Sequence, residues 1–178
     1  LPRISPDGRF ATVTVREDDP DVWVIDLTRK TLTRLTTERG EDESAVWSAD
    51  STRVTFASTR DGRRETLWKP ADGSGPEQVL FASPRHHHLA GWSPDGELLL
   101  TEDGMPTGWD LMTASMKTKE VKPLLEDRFS KEGAQISPDG RWLAYSSNES
   151  GRAEIYVRGF FGQGGRTSVS SDGGTEAR

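Results

Sequence analysis

The chain has 178 residues, a formal net charge of −6 and no cysteine. Leu, Ile, Val and Phe together make up about 19% of it, at the edge of the range of disordered chains, but six Trp argue for a thin, aromatic-reinforced core. The figures exclude disulfides, thiolate metal sites and Cys nucleophiles, and the acidic balance opposes nucleic-acid binding.

The first recognisable element is Ile4-Ser-Pro-Asp-Gly-Arg-Phe10. It reads as a short apolar strand running into a tight turn. Pro presets φ, Asp bonds the following backbone, and Gly supplies φ > 0. Strands are predicted next at Phe10–Val15, Val22–Asp26 and Leu32–Thr36. The pattern then restarts. Ala45–Ser48 leads into Trp47-Ser-Ala-Asp-Ser-Thr-Arg-Val54, followed by strands at Arg53–Ser58, Thr66–Lys69 and Glu77–Leu80. A third copy runs from Ala90–Ser93 through Trp92-Ser-Pro-Asp-Gly-Glu-Leu98 to Leu98–Thr101. Trp109, Met112 and Met116 have a helix-like spacing, but the repeat register makes Trp109–Ala114 and Glu120–Leu125 strands. The fourth copy is Ile136-Ser-Pro-Asp-Gly-Arg-Trp142, with strands at Trp142–Ser146, Glu154–Arg158 and Thr167–Ser170.

The motif aspartates Asp7, Asp50, Asp95 and Asp139 are 43, 45 and 44 residues apart. That period, filled with four short strands, is the signature of propeller blades. The expected fold is an all-β propeller of four consecutive four-stranded antiparallel blades. It forms a single domain over 1–178, with blades at about 2–43, 44–88, 89–132 and 133–178. The start at Leu1 and the Ser171-Asp-Gly-Gly-Thr-Glu-Ala-Arg178 ending, a lead-in to another repeat, point to an excerpt of a longer chain. The four blades close alone, belong to a larger ring, or self-associate through their ends.

The Ser-Pro-Asp-Gly repeats, with strands such as Glu154-Ile-Tyr-Val157, resemble the TolB-type β-propeller repeat. Leu32-Thr-Arg-Leu-Thr36, Trp68-Lys-Pro-Ala-Asp-Gly-Ser-Gly75 and Ile136 to Gly151 resemble the C-terminal propellers of bacterial serine/threonine protein kinases. The resemblance implies a sensor or scaffold that binds a protein partner, on the periplasmic or extracytoplasmic side. Blade two departs from it, since Ser48-Ala-Asp-Ser51 lacks both Pro and Gly. No kinase loop, phosphate cradle or nucleophile elbow is present, so no enzyme activity and no cofactor are expected.

The four motif aspartates are assigned to turns, because equivalent carboxylates in separate blades lie too far apart to share acid–base work. Trp47, Trp92 and Trp142 are expected to pack against neighbouring blades, with Trp23, Trp68 and Trp109 also in the core. All three His lie in His86-His-His88. Glu43, His88 and Glu132 stand at equivalent positions, four residues before the motif, with Asp42 and His87 beside them. Glu43, His87, His88 and Glu132 are therefore the candidate ligand-binding residues. Strand alternation lets at most two of the three His share one ligand sphere. The favoured function is a non-catalytic module binding a protein or peptide at this loop face or at the channel, without membrane insertion. The alternative is a metal-assisted hydrolase or lactonase-like propeller using the same His and carboxylates.

Overall fold

The computed structural model describes residues 2–104, 106, 108–162 and 164–176. Leu1, Gln163, Ala177 and Arg178 lie outside the described residues. Among the described residues, sixteen strands and no helix are found, and the strands form four antiparallel sheets. The first sheet holds β1 (Arg3–Ile4), β2 (Phe10–Arg16), β3 (Pro20–Asp26) and β4 (Thr31–Arg34). The second holds β5 (Glu41–Trp47), β6 (Arg53–Arg60), β7 (Arg63–Pro70) and β8 (Gln78–Ser83). The third holds β9 (His87–Trp92), β10 (Glu97–Asp103), β11 (Trp109–Ser115) and β12 (Val121–Leu125). The fourth holds β13 (Lys131–Ile136), β14 (Trp142–Ser147), β15 (Glu154–Gly159) and β16 (Thr167–Ser168). Strand order within every sheet follows chain order, as propeller blades require. The segment with helix-like spacing is β11 and β12, as the repeat register demands.

The chain divides into two compact units, Leu1–Leu89 and Ala90–Arg178. In the first, Val22, Val24, Leu35, Ala45, Trp47, Val54, Phe56 and Leu67 form a continuous core. In the second, Leu99, Leu111, Leu143, Tyr145, Tyr156 and Phe160 do so. Strand alternation supplies these residues. In β6, Val54 and Phe56 face one side of the sheet and are fully buried.

The Ser-x-Asp turns explain their own repetition. Ser5, Ser48 and Ser137 each donate a hydroxyl proton to the aspartate two residues on, at 2.6 Å. The same Asp Oδ1 accepts the backbone N–H of Arg9, Thr52 or Arg141 at 3.0–3.1 Å. Each serine Oγ accepts the N–H that opens the next strand, at Phe10, Arg53 or Trp142. These bonds, led by the serine hydroxyl, hold Asp50 and Asp139 down to about 2. In the third blade the turn is one residue shorter. Ser93 N–H reaches Glu97 O, where Ser5 N–H reaches Phe10 O. Glu97, rather than Leu98, therefore occupies the position of Phe10.

Blade two lacks the motif glycine, and Ser51 takes its left-handed conformation at φ +60°. Its hydroxyl accepts the backbone N–H of Asp7 in the first blade at 3.1 Å. Trp47 also reaches the first blade. Its Nε1–H donates to Arg3 O at 2.9 Å, and its ring stacks on Phe10 at 6.1 Å.

Trp142 corrects one expectation. It is 52% exposed, not packed. It shares the strand-opening position with Phe10, whereas Trp47 and Trp92 precede the motif serine. The Phe10 position is covered by Trp47 from the following blade. Within its own sheet Trp142 opens β14 and meets only the backbone of Gly159 across the ladder.

Candidate functional site

The candidate site is built on β5, whose pairing with β6 slips between Glu43 and Val46. An equivalent irregularity occurs on β13 between Glu132 and Gln135. The residue after each glutamate adopts the left-handed conformation, Ser44 at φ +55° and Gly133 at φ +58°. Glycine does this without steric cost, whereas serine is strained by roughly 1 kcal/mol. At Ser44 the strain aims a hydroxyl at the neighbouring repeat, and Ser44 Oγ lies 3.0 Å from His88 Nδ1.

Glu43 is held from three sides. Arg64 donates to Oε1 at 3.0 Å, Arg16 to Oε2 at 3.1 Å, and His86 Nε2 stands at 3.8 Å. Burial pushes the Glu43 carboxyl up, but the Arg64 bond, with charge from Arg64, His88 and Arg16, outweighs it and leaves it lowered. Arg64 is itself buried and also donates to Thr59 Oγ1 and to His87 O, both at 2.8 Å. It is a fixed brace between β7, β5 and the start of β9.

The three histidines divide as strand alternation requires. The rings of His86 and His88 meet edge to face at 4.7 Å, on the side of Glu43. His87 turns the other way and is fully buried. Its Nε2 lies 2.8 Å from Thr66 Oγ1, its Nδ1 lies 3.2 Å from Arg85 O, and its ring packs against Phe81. Of the predicted ligand residues, Glu43 and His88 therefore come together, and His87 braces the core behind them. His86 joins the cluster instead; the i, i+2 spacing to His88 was the signal for it. Asp42 also points away. It is fully buried against Arg60 at 3.4 Å, and burial raises its carboxyl above the ordinary value. Glu132 lies in the second unit on β13, exposed, and accepts a bond from Ser130 Oγ at 3.2 Å.

A cavity of about 350 Å³ opens between β2 and this cluster. Thr12 and Thr14 line one wall, and Arg16, Glu43, Ser44 and His88 the other. Burial, followed by the charge of His86, lowers the His88 imidazole below its ordinary value, so it is neutral at pH 7. A neutral imidazole, two threonine hydroxyls and a guanidinium make a mixed donor–acceptor surface suited to polar peptide groups. Both Glu43 oxygens are already engaged by guanidiniums. Among the described residues, no group of three His, Asp or Glu is placed to hold a metal ion.

Ser44 gives a direct test of the local energetics. Ser44→Gly should relieve roughly 1 kcal/mol of left-handed strain and lose about 1 kcal/mol of hydrogen bonding, leaving stability nearly unchanged. Ser44→Ala keeps the strain and loses the bond, so it should be less stable by about 1 kcal/mol. Urea unfolding of both variants measures the difference, and equal stabilities would contradict the strain at this position.

Comparison with known proteins agrees with the blades. The family described as TolB beta propeller domain matches residues 1–176. The chain is 31% identical over 136 residues to the Tol-Pal system protein TolB of Desulfosudis oleivorans, covering 72% of this chain and 29% of that protein. It is 23% identical over 163 residues to an uncharacterized protein of Agrobacterium fabrum, covering 87% of this chain and 53% of that one. The chain thus spans about half, or less, of the curated relatives it matches. The crystal structure of TolB from Acinetobacter baumannii superposes with a TM-score of 0.80 at 16% identity, over 95% of this chain and 42% of that one. Its repeats, its four chain-ordered blades and the match across nearly its whole length place the chain in the TolB beta propeller domain family.

Proposed function

We propose that this chain is a non-catalytic interaction module whose cavity beside Glu43, Ser44 and His88 receives a segment of a protein partner. The observation that carries the reading is Ser44. A serine holds a conformation that glycine fills in the fourth blade, and its hydroxyl orients His88 at the cavity wall. Backbone strain kept at an exposed polar cleft is typical of ligand-handling positions. The cavity offers polar donors and acceptors and a rim guanidinium, which suits a polar peptide better than an apolar ligand. Glu132, at the equivalent position of the fourth blade, is proposed as a ligand-binding residue of the second unit by itself.

The finer reading is a sensor or scaffold domain spanning 1–178, of the kind joined to bacterial serine/threonine kinases and facing the periplasm or the outside of the cell. It is supported by the stretches Leu32–Thr36 and Ile136–Gly151. Among the described residues, no helix is long and apolar enough to cross a membrane.

Photo-crosslinking from Thr14, on the cavity wall, tests the reading. In an envelope extract the chain should capture discrete partner bands, and His88→Ala together with Arg16→Gln should reduce them severalfold. Bands that persist unchanged in the double variant, or a complete lack of bands, would sink the proposal.

A further inference from the structure

A second cavity lies at the other end of β2, around Phe10 rather than Arg16. It measures about 700 Å³ and runs between the first two blades, wholly within the first unit. That size is typical of sites that take small ligands or short peptide segments. Its floor is apolar, with Phe10 and Val24 on one blade and Pro70 and Ala71 on the other. Nothing in the repeat demands such a space, because the same two blades pack closely through Phe10 and Trp47 just beside it.

The charges around this groove are unevenly matched. The two acids on its rim serve local turns. Asp26 Oδ1 accepts the N–H groups of Thr28 and Arg29 at 2.9 and 2.8 Å, and Asp72 Oδ1 accepts that of Ser74 at 2.9 Å. The guanidiniums differ. The Arg53 Cζ stands over the Trp68 ring, 4.2 Å from its centre, and that of Arg9 over Phe10 at 5.4 Å. Among the described residues, neither guanidinium donates a hydrogen bond or forms an ion pair. The contact with Trp68 restrains the Arg53 guanidinium while its N–H groups stay without an acceptor among the described residues. A guanidinium held in this way is pre-organised for a two-pronged bond to a carboxylate.

We infer that this groove binds a short acidic peptide segment, with Arg53 gripping a carboxylate and the apolar floor receiving the adjoining side chain. Arg9 adds a second positive charge from the first blade. The inference is independent of the cavity at His88, which shares β2 but not its residues. Charge complementarity selects the occupant. Three guanidiniums, Arg9, Arg29 and Arg53, line the groove against two carboxylates, Asp26 and Asp72, and Arg29 pairs with Asp26 at 3.8 Å; the local balance is positive inside a chain whose net charge of −6 repels acidic ligands elsewhere.

Titration of the ¹⁵N-labelled chain with the peptide acetyl-Glu-Asp-Leu-Glu-amide tests the inference, read at the Trp68 indole N–H. A saturable shift is expected that weakens as salt is raised. The neutral counterpart acetyl-Gln-Asn-Leu-Gln-amide should bind roughly tenfold more weakly or worse, because it cannot form charge-assisted bonds. Arg53→Gln should weaken the acidic peptide by roughly tenfold, since one forked ion pair is lost. Arg9→Gln, an independent variant on the first blade, should weaken it severalfold, and Arg16→Gln at the other cavity should leave it unchanged. Equal binding of the two peptides, or an unaltered titration in both Arg53→Gln and Arg9→Gln, would overturn the inference. An effect of Arg16→Gln alone would assign the peptide to the cavity at His88 instead.

Discussion

Trp47→Ala is expected to lower the unfolding free energy of the first unit by about 3–5 kcal/mol, the usual cost of deleting a large buried aromatic. Trp47 is 6% exposed, belongs to the core cluster, stacks on Phe10 and donates its indole N–H to Arg3 O. The alanine variant therefore loses packing on two blades and leaves a buried carbonyl less well satisfied. Trp47→Phe should lose about 1 kcal/mol for the hydrogen bond, plus a smaller packing defect. Trp142→Ala is the control, because at 52% exposure it should change stability by no more than about 0.5 kcal/mol. Urea unfolding followed by tryptophan fluorescence ranks the three. Equal losses for Trp47→Ala and Trp142→Ala would mean that indole burial does not hold the blades together.

Acidification from pH 7 to pH 4.5 should cost roughly 2 kcal/mol through His87 alone. Burial, the leading cause, brings its imidazole from 6.5 to about 4 in the folded chain, and nearby positive charge from Arg64, His86 and His88 acts in the same direction. The unfolded chain thus binds a proton between pH 6.5 and 4 that the folded chain refuses. Stability is full above pH 6.5 and is lost as the pH falls through that window. His88, also lowered chiefly by burial, adds to the loss. The turn aspartates act lower. Asp50 and Asp139 stay ionised in the fold down to about 2, so their contribution is present above the ordinary carboxylate range and disappears below it. His87→Gln should flatten the stability profile between pH 6.5 and 4.5 while lowering stability at pH 7. A profile as steep as that of the unaltered chain would remove His87 as its source.

The repeat made the blades legible, because a turn that needs Ser, Asp and a left-handed residue in fixed order is written almost unchanged four times. The strands were legible for the same reason, including β11, where periodicity alone favoured a helix. Trp142 was misjudged because a motif reading gives equal weight to both ends of the turn. Burial depends on which position the adjacent blade covers. At the candidate site, alternation along β9 correctly limited the histidines that share a face. It could not say which face Glu43 occupies, because the irregularity after Glu43 breaks the alternation on β5. The αL serines were not legible either. Ser44 and Ser51 look like ordinary polar residues in the sequence, and only the glycines at the equivalent places reveal the backbone they must adopt. The groove at Arg53 and Trp68 depends on spacing between two blades, a distance that no local pattern encodes.

The order of strands has a kinetic meaning. Every sheet is assembled from four strands that follow one another along the chain, and among the described residues no ladder joins one sheet to another. Hairpins can therefore close across short loops before any distant segment arrives, which keeps the loop-closure entropy small for an all-β protein. Within each unit the finished sheet then offers its apolar face to its neighbour, so growth there resembles the lengthening of a one-dimensional array more than the collapse of a sandwich. Loss of one blade removes the neighbour terms it supplied and leaves the hydrogen-bond ladders of the other blades intact. Amide exchange should consequently vary blade by blade, with the most protected amides in β6, where Val54 and Phe56 are fully buried in the first core, and in its partner β7.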